Sequence, residues 1–101
     1  MEFTIRMGIP EMAGLWNKLQ TESRNGTIGK NDEELYRKWG NTLKKLANDP
    51  FYPGLNTHEI DPLSKRYGMK VWQSYLENRR SGARRMFWVY GPKQNEITSI
   101  G

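Results

Sequence analysis

A chain of 101 residues has room for one domain and one apolar core, and with no cysteine it excludes a disulfide framework or a Cys-ligated zinc site holding that core together. Four Trp, five Tyr and three Phe within a 36% hydrophobic composition exclude a disordered chain. The net charge of +5 is unevenly spread: residues 1–64 hold eight basic and nine acidic side chains, whereas residues 65–85 hold Lys65, Arg66, Lys70, Arg79, Arg80, Arg84 and Arg85 against Glu77 alone, which points to a polyanion as partner.

Met1 to Arg6 lack the long apolar stretch of a signal peptide, and no apolar run approaches the ~18 residues of a membrane span. The expectation is a soluble, cytoplasmic protein with no membrane partner.

In chain order, Phe3, Ile5 and Met7 alternate with polar neighbours, the period of a half-buried strand, which Gly8 and Pro10 end. Met12, Leu15, Trp16 and Leu19 then follow the spacing of one helical face, predicting a helix from about Pro10 to Arg24. Asn25 to Gly29 reads as a turn, and Asn31 with Glu34 resembles a capping box opening a second helix. Its apolar stripe is Leu35, Trp39, Leu43, Leu46 and Ala47, and Asn48-Asp49-Pro50 ends it. Gly40 inside that helix costs about 1 kcal/mol relative to alanine.

Beyond Pro50 the pattern changes to strands and turns. Leu55 to Ile60 is predicted as a short strand, Asp61 to Gly68 as a polar loop, Met69 to Leu76 as a strand and Glu77 to Gly82 as a turn. Arg84 to Tyr90 and Glu96 to Ile100 complete a three-stranded meander. The order β-αα-ββββ predicts one α+β domain over residues 1–101, an antiparallel sheet with the N-terminal helical hairpin packed on one face.

Strand side chains alternate between faces, so one parity must be core. Trp72 and Leu76, flanking Ser74, read as the helix-facing set, with Met86, Trp88 and Tyr90 on the next strand. Gln73, Tyr75, Arg85 and Phe87 then share the face away from the helices. There the two aromatics could stack on bases while Arg85 binds a phosphate, as in a single-stranded RNA site.

The strand, helical hairpin and meander, with an arginine opening Arg84-Arg85-Met86-Phe87-Trp88-Val89-Tyr90 just after Ser81-Gly82, resemble the RelE/ParE superfamily of bacterial toxins. The resemblance implies the toxin of a type II toxin-antitoxin pair, neutralised by a cognate antitoxin wrapped around it. RelE-type members cut messenger RNA in the ribosomal A site, and ParE-type members poison DNA gyrase. The favoured expectation is a ribosome-associated mRNA endoribonuclease, and the alternative is a toxin-like module that does not cleave. Arg85 matches the family's strand arginine, with Arg84 one residue away as the other possible match. Family members usually carry basic residues on the preceding strand, where this chain has Gln73 and Tyr75. Many also have a His, Tyr or Arg after the last strand, where this sequence ends at Ile100-Gly101. The expected catalytic set is therefore either incomplete or continued beyond the sequence in hand.

Cleavage by a neighbouring 2′-hydroxyl needs a base for its proton, a cation for the phosphate oxygens and an acid for the departing 5′-oxygen. Arg85 fits the cation, because its planar fork grips a phosphate bidentately. Tyr75 is the candidate stacking group or acid, and His58 or Glu59 the candidate base. Lys65, Arg66, Lys70, Gln73, Arg79, Arg80, Arg84 and Phe87 are the expected RNA contacts. No small-molecule cofactor is expected, and no metal either, because alternation separates His58 from Glu59 and Asp61.

Overall fold

The computed structural model describes residues 2–77 and 83–101. Most of the turn expected over Glu77 to Gly82 lies outside the described residues, and so do Arg79 and Arg80. The elements in order are β1 (Thr4–Met7), α1 (Pro10–Asn25), α2 (Lys30–Asn48), a 3-10 turn (Pro53–Leu55), β2 (His58–Glu59), α3 (Asp61–Tyr67), β3 (Trp72–Tyr75), β4 (Arg85–Tyr90) and β5 (Glu96–Ser99).

The five strands form one mixed sheet in the order β1-β5-β4-β3-β2. The meander β3-β4-β5 is antiparallel as expected, but β1 pairs parallel with β5, in register Thr4 with Glu96 through Met7 with Ser99. The purely antiparallel sheet is therefore corrected. Alternation specifies which face a strand buries but not its partner, and the intervening chain is long enough for either direction.

Both long helices stand close to their expected limits. Helix α1 closes with a Schellman arrangement, in which Thr27 N–H bonds the Glu22 carbonyl at 2.9 Å and Gly26 takes φ 72. Helix α2 differs at its start: the N-cap is Gly29 with no side-chain cap, so the Asn31–Glu34 capping box does not form. Asp32 and Glu33 answer the helix dipole there instead, and Glu34 reaches Lys38 at 2.8 Å.

Two further corrections fall between Pro50 and Lys70. Only His58–Glu59 of the expected Leu55 to Ile60 strand pairs as a strand, because Pro53–Leu55 turns, Asn56 takes φ 47 and Ile60 already caps the next helix. The expected polar loop at Asp61 to Gly68 is instead the seven-residue helix α3, opened by Asp61-Pro62 and closed by Gly68 at φ 69. None of its side chains is fully buried, so it offers no apolar period to read.

The core lies between α2 and one face of the sheet. Leu46, Leu55, Met86, Trp88 and Ile97 form its buried centre, with Phe3, Ile5, Leu43, Trp72 and Leu76 packed against them. This puts Trp72, Met86 and Trp88 on the helix side and Gln73, Tyr75, Arg85 and Phe87 on the outer face, as alternation predicted. Trp88 is fully buried, and its Nε1–H donates to Ser74 Oγ at 2.9 Å. Thr57 Oγ1 donates to the Pro50 carbonyl at 2.6 Å, so the 2.7 Å contact between Ser74 and Thr57 has Ser74 donating. This chain of bonds ties β4 and β3 to the residue just before His58.

Candidate functional site

The outer face gathers its chemistry along β3 and its two neighbours. Register pairs His58 on β2 with Gln73 on β3, Gln73 with Phe87 on β4, and Tyr75 with Arg85. Side chains directly opposite one another on paired strands project to the same side. His58, Gln73, Tyr75, Arg85 and Phe87 therefore form one patch.

Within it, the Arg85 guanidinium lies over the Tyr75 ring, 5.8 Å from its centroid, and the His58 ring meets Tyr75 edge-on at 6.2 Å. Tyr75 thus sits between a cation and an imidazole. Arg85 and His58 are exposed, and Tyr75 is half-buried. His58 Nδ1 is 3.0 Å from the Asn56 carbonyl, and its Nε2 is 3.3 Å from Gln73 Nε2. A carbonyl only accepts, so both contacts are hydrogen bonds at once when Nδ1 donates to Asn56 and the Nε2 lone pair accepts from the amide. Gln73 is only 3% exposed. The side chain expected to touch RNA is instead a buried partner of His58.

The remaining candidates divide. Glu59 pairs with Trp72 and so belongs to the helix side of the sheet, away from Arg85 and Tyr75. Of the two residues left open as the base, only His58 shares the face with the cation. Lys65 and Arg66 are exposed in the last turn of α3, rather than in a loop, and Lys70 is exposed just before β3. Arg84, also exposed, precedes β4 at the other end. The described part of the basic segment thus brackets β3, with about 13 Å of strand between its halves. Phe87 is half-buried beside Gly101, whose carbonyl accepts from Phe87 N–H at 3.1 Å.

Glu77, the one acidic residue of that segment, is engaged. Its Oε2 accepts from Lys38 of α2 at 2.5 Å and its Oε1 from Arg84 N–H at 3.3 Å. Hydrogen bonds to Glu34 and then to Glu77 hold Lys38 above the usual lysine range.

Two surface depressions frame the sheet. A groove of about 320 Å³ is lined by Met12, Leu15, Leu35, Trp39, Leu76 and Met86, with Arg84 and Arg85. A larger cleft of about 460 Å³, beside the C-terminal half of α2, is lined by Glu2, Asn41, Lys44, Lys45, Asn48 and Tyr52, and holds none of the candidate residues. The chemistry therefore favours the sheet face over the larger cleft. Among the described residues no group of three or more metal-ligating side chains is placed to share an ion, and no helix is long and apolar enough to cross a membrane. No family model, curated protein or solved structure matches this chain.

Proposed function

We propose that this chain is an RNA endonuclease of the RelE toxin kind, cutting messenger RNA on the ribosome by attack of a 2′-hydroxyl on the adjacent phosphate. The observation that carries this reading is the grouping of exposed His58 and Arg85 around half-buried Tyr75 on one sheet face. His58 takes the 2′-hydroxyl proton as the 2′-oxygen bonds to phosphorus. Arg85 neutralises the charge growing on the non-bridging oxygens. Tyr75 stacks on a base or gives its phenolic proton to the departing 5′-oxygen, leaving a 2′,3′-cyclic phosphate and a 5′-hydroxyl. Lys65, Arg66, Lys70 and Arg84 hold the RNA backbone without reading its sequence.

The apolar groove supports a protein partner. Leu15 is 40% exposed there, and arginines line the same groove. An antitoxin segment with apolar anchors and carboxylates suits both features and would cover Arg85. The alternative, a module that binds gyrase or an antitoxin without cleaving, is favoured by one observation: β3 supplies Gln73 and Tyr75, and no cation, to the outer face.

The test is a defined RNA presented with and without ribosomes. Cleavage ending in a cyclic phosphate, blocked by a single 2′-deoxy substitution at the cut site, is the expected result. Intact RNA under both conditions, with DNA damage in cells expressing the protein, would replace this proposal with the gyrase-directed one.

A further inference from the structure

Histidine in water carries its single neutral-state proton on either ring nitrogen, and a base is useful only if the nitrogen facing the substrate is the bare one. In this protein both ring nitrogens of His58 have fixed neighbours. On one side is the Asn56 carbonyl, at a residue held in the left-handed region with φ 47 and therefore set by the backbone. On the other is the Gln73 amide, on a side chain buried between β2 and β4.

We propose that Gln73 is a positioning residue for His58: its amide N–H, acting with the Asn56 carbonyl at the other ring nitrogen, holds the Nδ1–H tautomer and leaves the Nε2 lone pair on the outer sheet face. The Gln73–His58 contact is 3.3 Å, at the long end for a hydrogen bond. A hydroxyl arriving at Nε2 is a closer donor and displaces the amide, so Gln73 keeps the lone pair oriented until substrate takes it. Asn56 and Gln73 bond the ring, and Tyr75 meets it edge-on; none of the three is a carboxylate. The tautomer is thus fixed by hydrogen-bond direction, not by a neighbouring carboxylate. The consequence for catalysis rests on the cleavage reading, whereas the tautomer does not.

His58 is the only histidine, so one pair of ring nitrogens reports the state without assignment. In ¹⁵N NMR of the neutral wild-type protein, Nδ1 is expected to carry the proton and Nε2 to be bare. Gln73→Met, similar in size and apolar, should move the signals toward the Nε2–H form. Gln73→Glu, whose carboxylate accepts, should complete that move. Where RNA is cleaved, Gln73→Met should lower kcat by roughly tenfold with KM nearly unchanged, since alignment of the base is lost and binding is not. A wild-type spectrum with Nε2 protonated, or a Gln73→Met spectrum still showing Nδ1–H, overturns the proposal. A wild-type spectrum with Nε2 protonated overturns it even if neither variant folds. A protein that shows the Nδ1–H form in wild type, moves toward Nε2–H in Gln73→Met and cuts no RNA leaves the positioning role standing and removes only the cleavage reading.

Discussion

Ser74 has no side chain worth burying for its own sake, yet it is fully buried because it receives Trp88 Nε1–H and gives its own proton to Thr57. Removing its hydroxyl leaves the buried Trp88 Nε1–H without its acceptor, while Thr57 keeps its bond to the Pro50 carbonyl. Ser74→Ala should cost about 1–3 kcal/mol in denaturant unfolding. It should also broaden the His58 ring signals, because Thr57 leads directly into β2. Gly8 is a second constrained position: its N–H bonds the Ser99 carbonyl at 2.8 Å, and a Cβ there would lie 2.7 Å from that same oxygen. Gly8→Ala must push β1 away from β5, and a drop in thermal midpoint with loss of the Gly8 amide's exchange protection is the expected result.

At the scale of elements, α2 carries more than the core stripe. Gly40 weakens the helix, but a methyl group there would sit 3.5 Å from the Trp16 ring, an ordinary contact. Gly40→Ala should therefore stabilise the protein by about 0.5–1 kcal/mol in the same unfolding assay. From the turn before Gly40, Lys38 reaches across to Glu77 and ties α2 to the hairpin that carries Arg85. Glu34 first and then Glu77 raise the Lys38 pKa above 10.5 in the folded protein, so the stabilisation from the two pairs is present in full below that pH and is lost as pH rises through the higher folded value. Wild type should accordingly melt above Lys38→Met at pH 8, and the gap should shrink in alkali.

The elements also show how far pattern reaches. Alternation identified the outer face because Arg85 and Phe87 could be set against Met86 and Trp88 on a single strand. It could not have found that Gln73 meets His58, since that pairing depends on α3 folding the chain between them, and α3 buries no apolar stripe. Its only local marks are Asp61-Pro62 at one end and Gly68 at the other, and those signals could have replaced the loop reading. The parallel β1–β5 pair was hidden for a different reason: strand partners are chosen by the packed whole.

Over the whole molecule, a charge count becomes a division of labour. On the proposed reading, the exposed cations at the two ends of β3 supply attraction without chemistry, and Arg85 with His58 and Tyr75 supplies the chemistry. Lys65→Ala or Lys70→Ala should weaken RNA binding for all sequences and lower the salt slope by about 0.7 each, leaving the rate at saturating RNA nearly unchanged. Arg85→Ala should do the opposite, reducing cleavage by roughly 10²–10³-fold with a modest loss of binding. The most direct test is primer extension on messenger RNA from cells expressing wild type or Arg85→Ala, with folding of the variant checked by circular dichroism. Codon-phased breaks with wild type, absent with the folded variant, are the expected result; breaks that persist in the variant, or intact messages with wild type, would contradict the account.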